Sequence, residues 1–267
     1  MISILIVHYN RPDLLTHCLG SLNGAEDVVV VDNGSLNDSA RAAFSEEFPE
    51  VTWVFLEENL GFSAGVNRAA ASARGDIFFL LNPDTLLEGV SLAKLEHEFR
   101  NEGAEIMGLE QVDSHGQVQL SVGWSAGVVP ELFRKLLQDG WDKEKKWAYW
   151  LLDKVQRPSS SVDWVAGSAL LTHKRVFDAL NGFDERYFLY FEDIDFCLRA
   201  AASGARIAFS NSTTLIHHRG ACASTAPQAS KSHYRDSQRL FFSEHGTKIA
   251  KILMPAWSEL RKRVRRP

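Results

Sequence analysis

The first hundred residues alternate between short apolar runs and apolar stripes at helical spacing. The runs are rich in β-branched and aromatic residues and occupy Ile2–Val7, Val28–Val31, Thr52–Leu56 and Ile77–Leu81. Such runs are typical of buried parallel strands. The stripes between them comprise Leu14, Leu15, Cys18, Leu19 and Leu22, then Val66, Ala69, Ala70 and Ala73. This alternation predicts an α/β fold with a single, mostly parallel central sheet flanked by helices, and places functional residues at the carboxyl ends of the strands.

After Gly103 the pattern becomes less regular. Further strands are predicted at Ile106–Leu109, Val118–Val122, Val162–Leu171, Ile207–Phe209 and Thr214–His217. Residues 124–160 are rich in Trp and Lys and are interpreted as a variable helical insertion. Two amphipathic C-terminal helices are predicted at about 231–244 and 247–264. We therefore expect one domain over 1–246 and a basic, amphipathic tail over 247–267.

The composition excludes several classes of protein. The chain has 267 residues, 45% of them hydrophobic, which is enough for one large core or two small ones. Its net charge of -5 does not favour nucleic-acid binding. Three cysteines without CxxC spacing argue for a reducing compartment and against disulfides or a zinc site. The run Ile2–Val7 is too short for a secretory signal, and no run of 18 apolar residues could span a bilayer, so we expect a cytoplasmic protein.

The first predicted strand ends in His8-Tyr9-Asn10-Arg11-Pro12. Asn10 and Pro12 are suited to the start of a helix, as its cap and in its first turn. The GxGxxG fingerprint of dinucleotide-binding domains is absent here, and the chain has no P-loop pattern. If a nucleotide binds, its phosphates therefore need another counter-charge, such as a metal ion.

The second predicted strand ends in Asp32, within the sequence Val-Asp-Asn-Gly-Ser. A carboxylate at a strand end could accept a hydrogen bond from the imide N–H of uracil or thymine. Taken alone, the segment is better explained as a turn, because Asp, Asn, Gly and Ser are all turn-forming residues.

The loop between Glu58 and Arg68 contains two glycines and two asparagines around a helix start. Glycines at such a place indicate a close approach of the backbone to a ligand. The alternative is a glycine-rich loop in which Ser63 caps the helix.

The fourth predicted strand is followed by Asn82-Pro83-Asp84. One carboxylate together with substrate phosphates is a common way to hold Mg²⁺ or Mn²⁺, although Asn-Pro-Asp is also turn-prone. His217 and His218 follow the last predicted strand. Adjacent strand residues point to opposite faces, so only one of the two could complete a metal site, with Arg219 near the phosphates.

The segment from Phe183 to Phe196 interleaves carboxylates with aromatic rings. Acids beside rings suit a sugar site, because acids accept hydroxyl hydrogen bonds and rings cover the apolar face of a pyranose. The alternative is that Asp193 and Asp195 cap a helix that begins near Asp193. The helix dipole would lower the pKa of Asp193 and its acidic neighbours would raise it, and the sequence leaves the net direction open.

In chain order, these segments read HYNR, VDNGS, ENLGFSAGVNRA, LLNPDT, the block VDWVAGSALLTHKRVFDALNGFDERYFLYFEDIDFCLRA, and HHRG. The series resembles the inverting glycosyltransferases of family 2, and within them the bacterial rhamnosyltransferase group, over residues 2–245. The resemblance implies a GT-A fold, a nucleotide-diphosphate sugar donor, and Mg²⁺ or Mn²⁺ as cofactor.

The resemblance also implies roles for individual residues. Asp193 matches the catalytic base, as the second residue of a Glu-Asp pair. Asp84 matches the last acid of the DXD metal motif, whose first acid is Asn82 here, and His217 matches a histidine that ligates the metal in some relatives. Asp32 matches the residue that reads the donor base. The complete donor-binding set is Tyr9, Asn10, Asp32, Asn59, Gly61, Gly65, Asn67, Arg68 and Asn82. The expected acceptor-binding residues are Trp164, Glu192 and Asp195.

The expected function is transfer of a sugar, first of all L-rhamnose from dTDP-L-rhamnose, to a glycan or polyprenyl-diphosphate-linked glycan in cell-surface polysaccharide synthesis. Residues 1–110 would form the nucleotide-sugar-binding half, with dTDP or UDP as carrier, and 111–246 the acceptor half. The alternatives are a nucleotidyltransferase on a related sheet and a non-catalytic nucleotide-sugar-binding protein at a membrane. The basic tail would either bind an anionic membrane surface, as a peripheral contact, or pack as an ordinary helix.

Overall fold

The computed structural model describes residues 1–123, 127–156, 162–218 and 227–246. Its strands are β1 (Ile2–His8), β2 (Val28–Asp32), β3 (Thr52–Phe55), β4 (Ile77–Leu81), β5 (Thr85–Leu86), β6 (Ile106–Val112), β7 (Val122–Gly123), β8 (Trp164–Val165), β9 (Ala169–His173) and β10 (Ile207–His217). Its helices are α1 (Pro12–Gly20), α2 (Asp38–Glu47), α3 (Phe62–Ser72), α4 (Leu92–Glu102), α5 (Val128–Trp141), α6 (Lys146–Val155), α7 (Lys174–Ala179), α8 (Glu192–Ala202) and α9 (Pro227–His245).

Eight of these strands form one sheet in the order β3-β2-β1-β4-β9-β6-β10-β5. The strands β3, β2, β1 and β4 pair in parallel, and so do β6 and β10. Strand β9 runs antiparallel between β4 and β6, and β5 is an antiparallel edge. The predicted mostly parallel sheet is thus confirmed, and the carboxyl ends of β1, β4 and β10 meet at one edge.

Apolar side chains on the two faces of the sheet form two cores. One core joins Leu5 and Val7 of β1 to residues of α3, α7, α8 and α9. The other joins Ile4 and Ile6 of the same strand to residues of α1, α2 and α4. Successive strand residues point to opposite faces, so a continuous apolar run such as β1 serves both cores. Helices therefore flank both faces, as predicted.

Four predicted strands differ in the structure. The run Val118–Val122 is not a continuous strand, because the Gln156 side chain accepts a hydrogen bond from the Ser121 N–H (2.6 Å) and donates to the Gln119 carbonyl (2.5 Å) in place of a strand partner. The run Val162–Leu171 divides into β8 and β9 around a turn that contains Gly167. The two late strands are one strand, β10, with an irregularity between Ser210 and Thr214.

The helix boundaries also differ from expectation in detail. Arg11, not Asn10, is the N-cap of α1, and Asn10 has a φ of 60°. Gly61 is the N-cap of α3, while the Ser63 hydroxyl donates to the Tyr187 carbonyl (2.6 Å). Helices α5 and α6 fill the described part of the predicted insertion. Helix α9 spans 227–245 where 231–244 was predicted. The predicted helix 247–264 and Arg219 lie outside the described residues.

Candidate active site

A cleft of about 630 Å³ opens at the edge where β1, β4 and β10 end. Tyr9 follows β1, Asn82 and Asp84 follow β4, and His217 ends β10. Glu192 and Asp193 enter from the start of α8, and Trp164 from β8. The volume is within the range of ligand sites in proteins. The cleft therefore joins residues from both halves of the chain.

Asp84 and His217 face each other in the cleft. The antiparallel pairing of β5 with β10 places His217 opposite Thr85, next to Asp84. The His217 Nε2 atom lies 3.2 Å from Asp84 Oδ1, and both side chains are buried. Nevertheless, Asp84 Oδ1 has no hydrogen-bond partner. A buried carboxylate oxygen without a donor is costly unless another group compensates it.

Gln119 fixes the tautomer of His217. Its amide Nε2 donates to the His217 carbonyl (2.7 Å), so its Oε1 is the atom that lies 3.0 Å from His217 Nδ1. An amide oxygen can only accept, so Nδ1 carries the proton and Nε2 of the neutral ring carries a lone pair. When the ring is neutral, lone pairs of Nε2 and Asp84 Oδ1 face each other across 3.2 Å, with the Asn82 amide nitrogen 3.5 Å from Nε2.

These residues fit a divalent cation. A carboxylate and a neutral imidazole with a fixed second nitrogen are common metal ligands. No cluster of three His, Cys, Asp or Glu side chains that could hold a metal occurs in the described ranges. Two protein ligands alone hold Mg²⁺ or Mn²⁺ weakly, so a bound diphosphate would have to supply further oxygens. His217, rather than His218, lines the cleft.

Asp193 lies in the first turn of α8, and both its oxygens accept backbone hydrogen bonds. Oδ2 accepts from the Gly167 N–H (2.9 Å) and Oδ1 from the Ile194 N–H (2.8 Å). Burial raises the pKa of Asp193 above its ordinary value, although these hydrogen bonds and the charge of Arg134 oppose the rise. The direction that the sequence left open is therefore upward. A fixed carboxylate with a raised pKa is suited to accepting a proton.

Gly167 makes room for this carboxylate. A Cβ atom at Gly167 would lie 3.3 Å from the Asp193 Cβ, closer than most real Cβ contacts. The turn between β8 and β9 thus brings a backbone N–H directly against the acid.

Two residues with left-handed backbone precede the acids. Tyr190 has a φ of 72° and Phe191 a φ of 68°. Such conformations cost about 1–3 kcal/mol each in residues other than glycine and cluster at functional sites. Two residues of helix α9 contact this pair. The Tyr190 hydroxyl lies 2.7 Å from Ser230 Oγ, and the ring centroids of Phe191 and Tyr234 are 5.3 Å apart.

Glu192 contributes a second acid to the cleft wall. The side chain is buried, and its Oε2 has no hydrogen-bond partner. Burial raises the pKa of Glu192 well above its ordinary value, and the neighbouring Asp193 charge raises it further. Of the two neighbouring acids, Glu192 thus lies in the environment that favours the protonated form more strongly.

Arg134 was missed by the sequence reasoning. It lies on α5 and lines the same cleft. Its guanidinium forms two hydrogen bonds to Glu131 (2.8 and 3.0 Å) and one to the Tyr234 hydroxyl (2.8 Å). No motif marks it, because its position depends on how α5 packs against α9. It places a positive charge near Asp193.

Three residues of the Glu58–Arg68 segment line the cleft: Asn59, Gly61 and Phe62. The Asn59 side chain accepts from the Gly61 N–H (2.9 Å). Gly61 has a φ of 89°, and a Cβ there would lie 2.6 Å from the Phe188 carbonyl oxygen. Glycine is therefore required where this loop passes the segment before α8.

Asp32 does not line the cleft. The carboxylate is fully buried and accepts from the Ser35 hydroxyl (2.6 Å), the Ser35 N–H (3.1 Å) and the Leu36 N–H (3.0 Å), with His8 Nδ1 at 3.0 Å. Burial raises the pKa of Asp32, but these hydrogen bonds outweigh it and the pKa lies below its ordinary value. The next residue, Asn33, lines the cleft instead.

The remaining expected site residues also lie outside the cleft wall. Gly65 allows α3 to pack on β1, because a Cβ there would lie 2.6 Å from Val7 Cγ1. The Asn67 amide donates to the Phe183 carbonyl (2.9 Å), and its oxygen accepts from the Phe183 N–H (2.9 Å). Asn10 and Arg68 are exposed.

Asp195, an expected acceptor-binding residue, also lies outside the cleft wall. It accepts from Arg199 (2.7 Å) and lies 2.6 Å from His245 Nε2, and so ties α8 to the end of α9. Its carboxylate oxygens are thus engaged within the fold.

The fold and this cleft define a glycosyltransferase of the GT-A class. A family model described as Glycosyl transferase family 2 matches residues 3–138, about half of the chain. The chain therefore belongs to this family. Of the functions considered from the sequence, the family supports a glycosyltransferase rather than a nucleotidyltransferase or a non-catalytic nucleotide-sugar-binding protein. Enzymes of this family typically use a divalent metal ion.

Relatives of known name include rhamnosyltransferases. The chain is 25% identical over 260 residues to the N-acetylglucosaminyl-diphospho-decaprenol L-rhamnosyltransferase of Mycobacterium tuberculosis H37Rv, with 91% of this chain and 84% of that protein covered. It is 46% identical over 73 residues to the rhamnosyltransferase WbbL of Escherichia coli K12, with 25% of this chain and 28% of that protein covered.

A solved structure confirms the fold. The complex of Staphylococcus aureus TarS 1-349 with UDP superimposes with a TM-score of 0.57 at 15% identity, over 91% of this chain and 64% of that chain. At this identity the likeness concerns the fold alone.

Proposed function

We propose that this chain is an inverting rhamnosyltransferase that moves L-rhamnose from dTDP-L-rhamnose to a hydroxyl group of a polyprenyl-diphosphate-linked glycan. One observation carries the proposal: Asp193, with its raised pKa, shares a cleft with the facing pair Asp84 and His217. An acceptor hydroxyl and a leaving diphosphate need these two kinds of group in one site.

In the proposed reaction, the acceptor hydroxyl oxygen attacks the anomeric carbon of the donor sugar. Asp193 takes the hydroxyl proton, a bond forms between the acceptor oxygen and the anomeric carbon, and the bond from that carbon to the diphosphate oxygen breaks. The backbone N–H groups of Gly167 and Ile194 hold the carboxylate in place for this step. Attack opposite to the leaving group inverts the configuration.

The proposed metal ligands are Asp84 and His217, with Asn82 beside them. A bound Mg²⁺ or Mn²⁺ would neutralise the charge of the departing diphosphate. Gln119 holds the His217 ring with Nε2 as the free nitrogen, which is the state needed for a metal ligand.

The other cleft residues divide between donor and acceptor. Tyr9, Asn59, Gly61 and Asn82 belong to the 1–110 half, which we assign to the donor. Trp164 and Glu192 belong to the 111–246 half, which we assign to the acceptor. Burial raises the pKa of Glu192, and in its protonated form this side chain would donate a hydrogen bond to a sugar oxygen. Arg134, on the same side, would bind acceptor phosphate or support the Asp193 charge.

The choice of donor and acceptor is supported by the relatives rather than by base recognition. Asp32 was expected to recognise the donor base, but its carboxylate is occupied by hydrogen bonds within its own turn. The proposed preference for a dTDP-linked over a UDP-linked donor is therefore based on the likeness to rhamnosyltransferases. The name of the mycobacterial relative specifies a decaprenyl-diphosphate-linked acceptor. A lipid-linked acceptor would place the enzyme at the inner face of the cell membrane as a peripheral protein.

A donor screen tests the first part of the proposal. Thermal shift is measured with dTDP-, UDP- and GDP-sugars, each with Mg²⁺, Mn²⁺ or EDTA. We expect dTDP-L-rhamnose to stabilise the protein only when the metal ion is present. Stabilisation by GDP-sugars alone would contradict the choice of donor, and equal stabilisation in EDTA would contradict the metal.

A further inference from the structure

Helix α5 exposes an apolar stripe to solvent. The exposed fractions are 75% for Val129, 48% for Leu132, 45% for Phe133 and 57% for Leu136. Their spacing of three and four residues places them on one face of the helix. A surface helix normally turns such a stripe toward the core.

The opposite face of α5 is polar and buried. Glu131 is 8% exposed and accepts two hydrogen bonds from Arg134. Both residues contact Tyr234 of α9, and Gln238 donates to Glu131 (3.1 Å). This pair lies within α5, and its hydrogen bonds with Tyr234 and Gln238 of α9, together with buried Leu137, hold the helix to the protein and fix which face points outward.

Helix α6 extends the apolar surface. Gly140 continues the α5 stripe by one helical turn, and a Cβ there would lie 2.6 Å from Trp147 Cζ2. Trp147 is 45% exposed and Trp150, one turn further along α6, is 62% exposed. Within the described residues, every exposed large hydrophobic side chain except Met1 belongs to this α5–α6 hairpin.

The hairpin surface is continuous with the catalytic cleft. Val129 and Phe133 line a cavity of about 310 Å³ together with Trp164, Phe191 and Ile194. Trp164, Phe191 and Ile194 also line the cleft that holds Asp193. An apolar path thus leads from the exposed stripe to the proposed base.

We propose that the α5–α6 hairpin is a membrane-docking surface, whose apolar stripe enters the lipid leaflet that carries the acceptor. This inference rests on the proposed function, because a polyprenyl-diphosphate acceptor is confined to a leaflet. Exposed Trp side chains favour the membrane interface. Lys143, Lys145 and Lys146 are exposed at the turn beside Trp147, where they would face lipid phosphates.

The α5–α6 hairpin would bind the membrane through apolar side chains, whereas the basic tail 247–267 would bind it through charge. No helix of the described residues is long and apolar enough to cross a bilayer, so the hairpin would lie in the interface. The stretch from Lys135 to Lys154 carries nearly as many acids as bases. Binding through the hairpin should therefore persist with uncharged lipid and in salt, whereas binding through the basic tail 247–267 alone would be lost in both.

The test measures binding of the full chain to uncharged phosphatidylcholine vesicles by co-sedimentation, at low salt and in 0.5 M NaCl. The variant Leu132→Gln/Leu136→Gln removes two exposed apolar side chains without adding charge. The matched control Ala42→Gln/Ala43→Gln changes two exposed positions of α2. We expect binding by the wild type and the control in both salts, and at least tenfold weaker binding by the hairpin variant. Equal binding by all three proteins, or no binding by the wild type, would overturn the proposal.

Two further readouts separate this inference from the proposed function. Transfer to a short-chain, water-soluble acceptor should be the same for the hairpin variant and the wild type, since α5 keeps its buried face. Analytical ultracentrifugation should find no change in association state between them. A wild-type dimer that the hairpin substitutions dissociate, without any vesicle binding, would assign the surface to a second copy of the chain and overturn membrane docking. Failure of transfer by every protein, with vesicle binding as expected, would instead contradict the proposed function alone.

Discussion

Gln119 and His217 exchange two contacts that orient the imidazole toward Asp84. The Gln119 amide donates to the His217 carbonyl (2.7 Å), and its oxygen lies 3.0 Å from His217 Nδ1. This leaves His217 Nε2 3.2 Å from Asp84 Oδ1. Such support of a histidine by a neighbouring amide is typical of metal sites, where outer partners set the tautomer of the ligand.

The first prediction concerns this support. Gln119→Ala should raise the metal concentration needed for half-maximal transfer about 10–100-fold, because the ring loses its fixed tautomer. The measurement is a Mg²⁺ or Mn²⁺ titration of activity after treatment with EDTA. Gln117→Ala, two residues away, is the control and should leave the midpoint unchanged. The same midpoint for Gln119→Ala and wild type, with equal Tm, would remove Gln119 from the metal site.

The second prediction concerns the proposed base. Asp193→Asn should keep the fold and the affinity for the donor but lower turnover by about 10²–10⁴-fold, because the amide cannot take the acceptor proton. Turnover, donor binding by calorimetry and Tm are measured together. A loss of less than tenfold with unchanged Tm would show that another group removes the proton.

The pH dependence of activity gives a third prediction. A base must be ionised to work, and burial raises the pKa of Asp193. The midpoint of the acid limb of the kcat/KM profile should therefore lie at a higher pH than the ordinary aspartate pKa of about 3.9. A profile that stays flat down to about pH 4 would contradict a buried base.

The fourth prediction uses Glu192, whose pKa is raised well above its ordinary value by burial and by Asp193. Above the pKa of about 4.3 that Glu192 has in the unfolded chain, folding is accompanied by uptake of a proton at this side chain. The free energy of unfolding therefore falls by up to about 1.4 kcal/mol per pH unit as the pH rises toward the pKa of Glu192 in the folded protein. Glu192→Gln removes this loss. The stability gained by Glu192→Gln over wild type should therefore grow from about pH 5 to pH 7, as measured by urea unfolding.

Exposed Glu88 offers the matched control for this experiment. Glu88→Gln should show a difference from wild type that does not change with pH. If Glu192→Gln behaves in the same way, Glu192 is ionised in the folded protein and cannot donate to a sugar.

The fifth prediction concerns Asp32. Because its carboxylate accepts from Ser35 and Leu36 and lies beside His8, Asp32→Ala leaves buried donors without partners. It should destabilise the protein by about 3 kcal/mol, while Asp38→Ala, at an exposed position of α2, should change stability by less than about 1 kcal/mol. An Asp32→Ala protein of normal Tm that loses preference between dTDP- and GDP-sugars would restore Asp32 as the base-reading residue.

Patterns along the chain were sufficient to predict the sheet and the strand-end position of the site. Continuous apolar runs such as Val28–Val31 can only be buried on both faces, and the carboxyl ends of parallel strands then converge. For that reason the order of residues along the chain, together with the family resemblance, predicted Asp84, His217 and Asp193 to lie together, and the structure places all three in one cleft.

Other features depend on packing that no local pattern encodes. Arg134 reaches the cleft because α5 is bound to Tyr234 of α9, about one hundred residues away in sequence. Asp32 and Asn33 are adjacent, and only the twist of the turn after β2 decides which of them faces the cleft. Similarly, Val118–Val122 has strand-forming residues, but the Gln156 side chain takes the backbone hydrogen bonds that a strand partner would need.

Transfer itself tests the central proposal most directly. Purified protein is incubated with dTDP-L-rhamnose, Mg²⁺ and a short polyprenyl-diphosphate-linked N-acetylglucosamine, and the lipid product is analysed by mass spectrometry and by NMR of the new linkage. The account predicts a product heavier by one deoxyhexose residue, with inverted anomeric configuration, that is lost in EDTA and reduced at least a hundredfold in Asp193→Asn. Transfer only from UDP- or GDP-sugars, a retained configuration, or full activity of Asp193→Asn would contradict it.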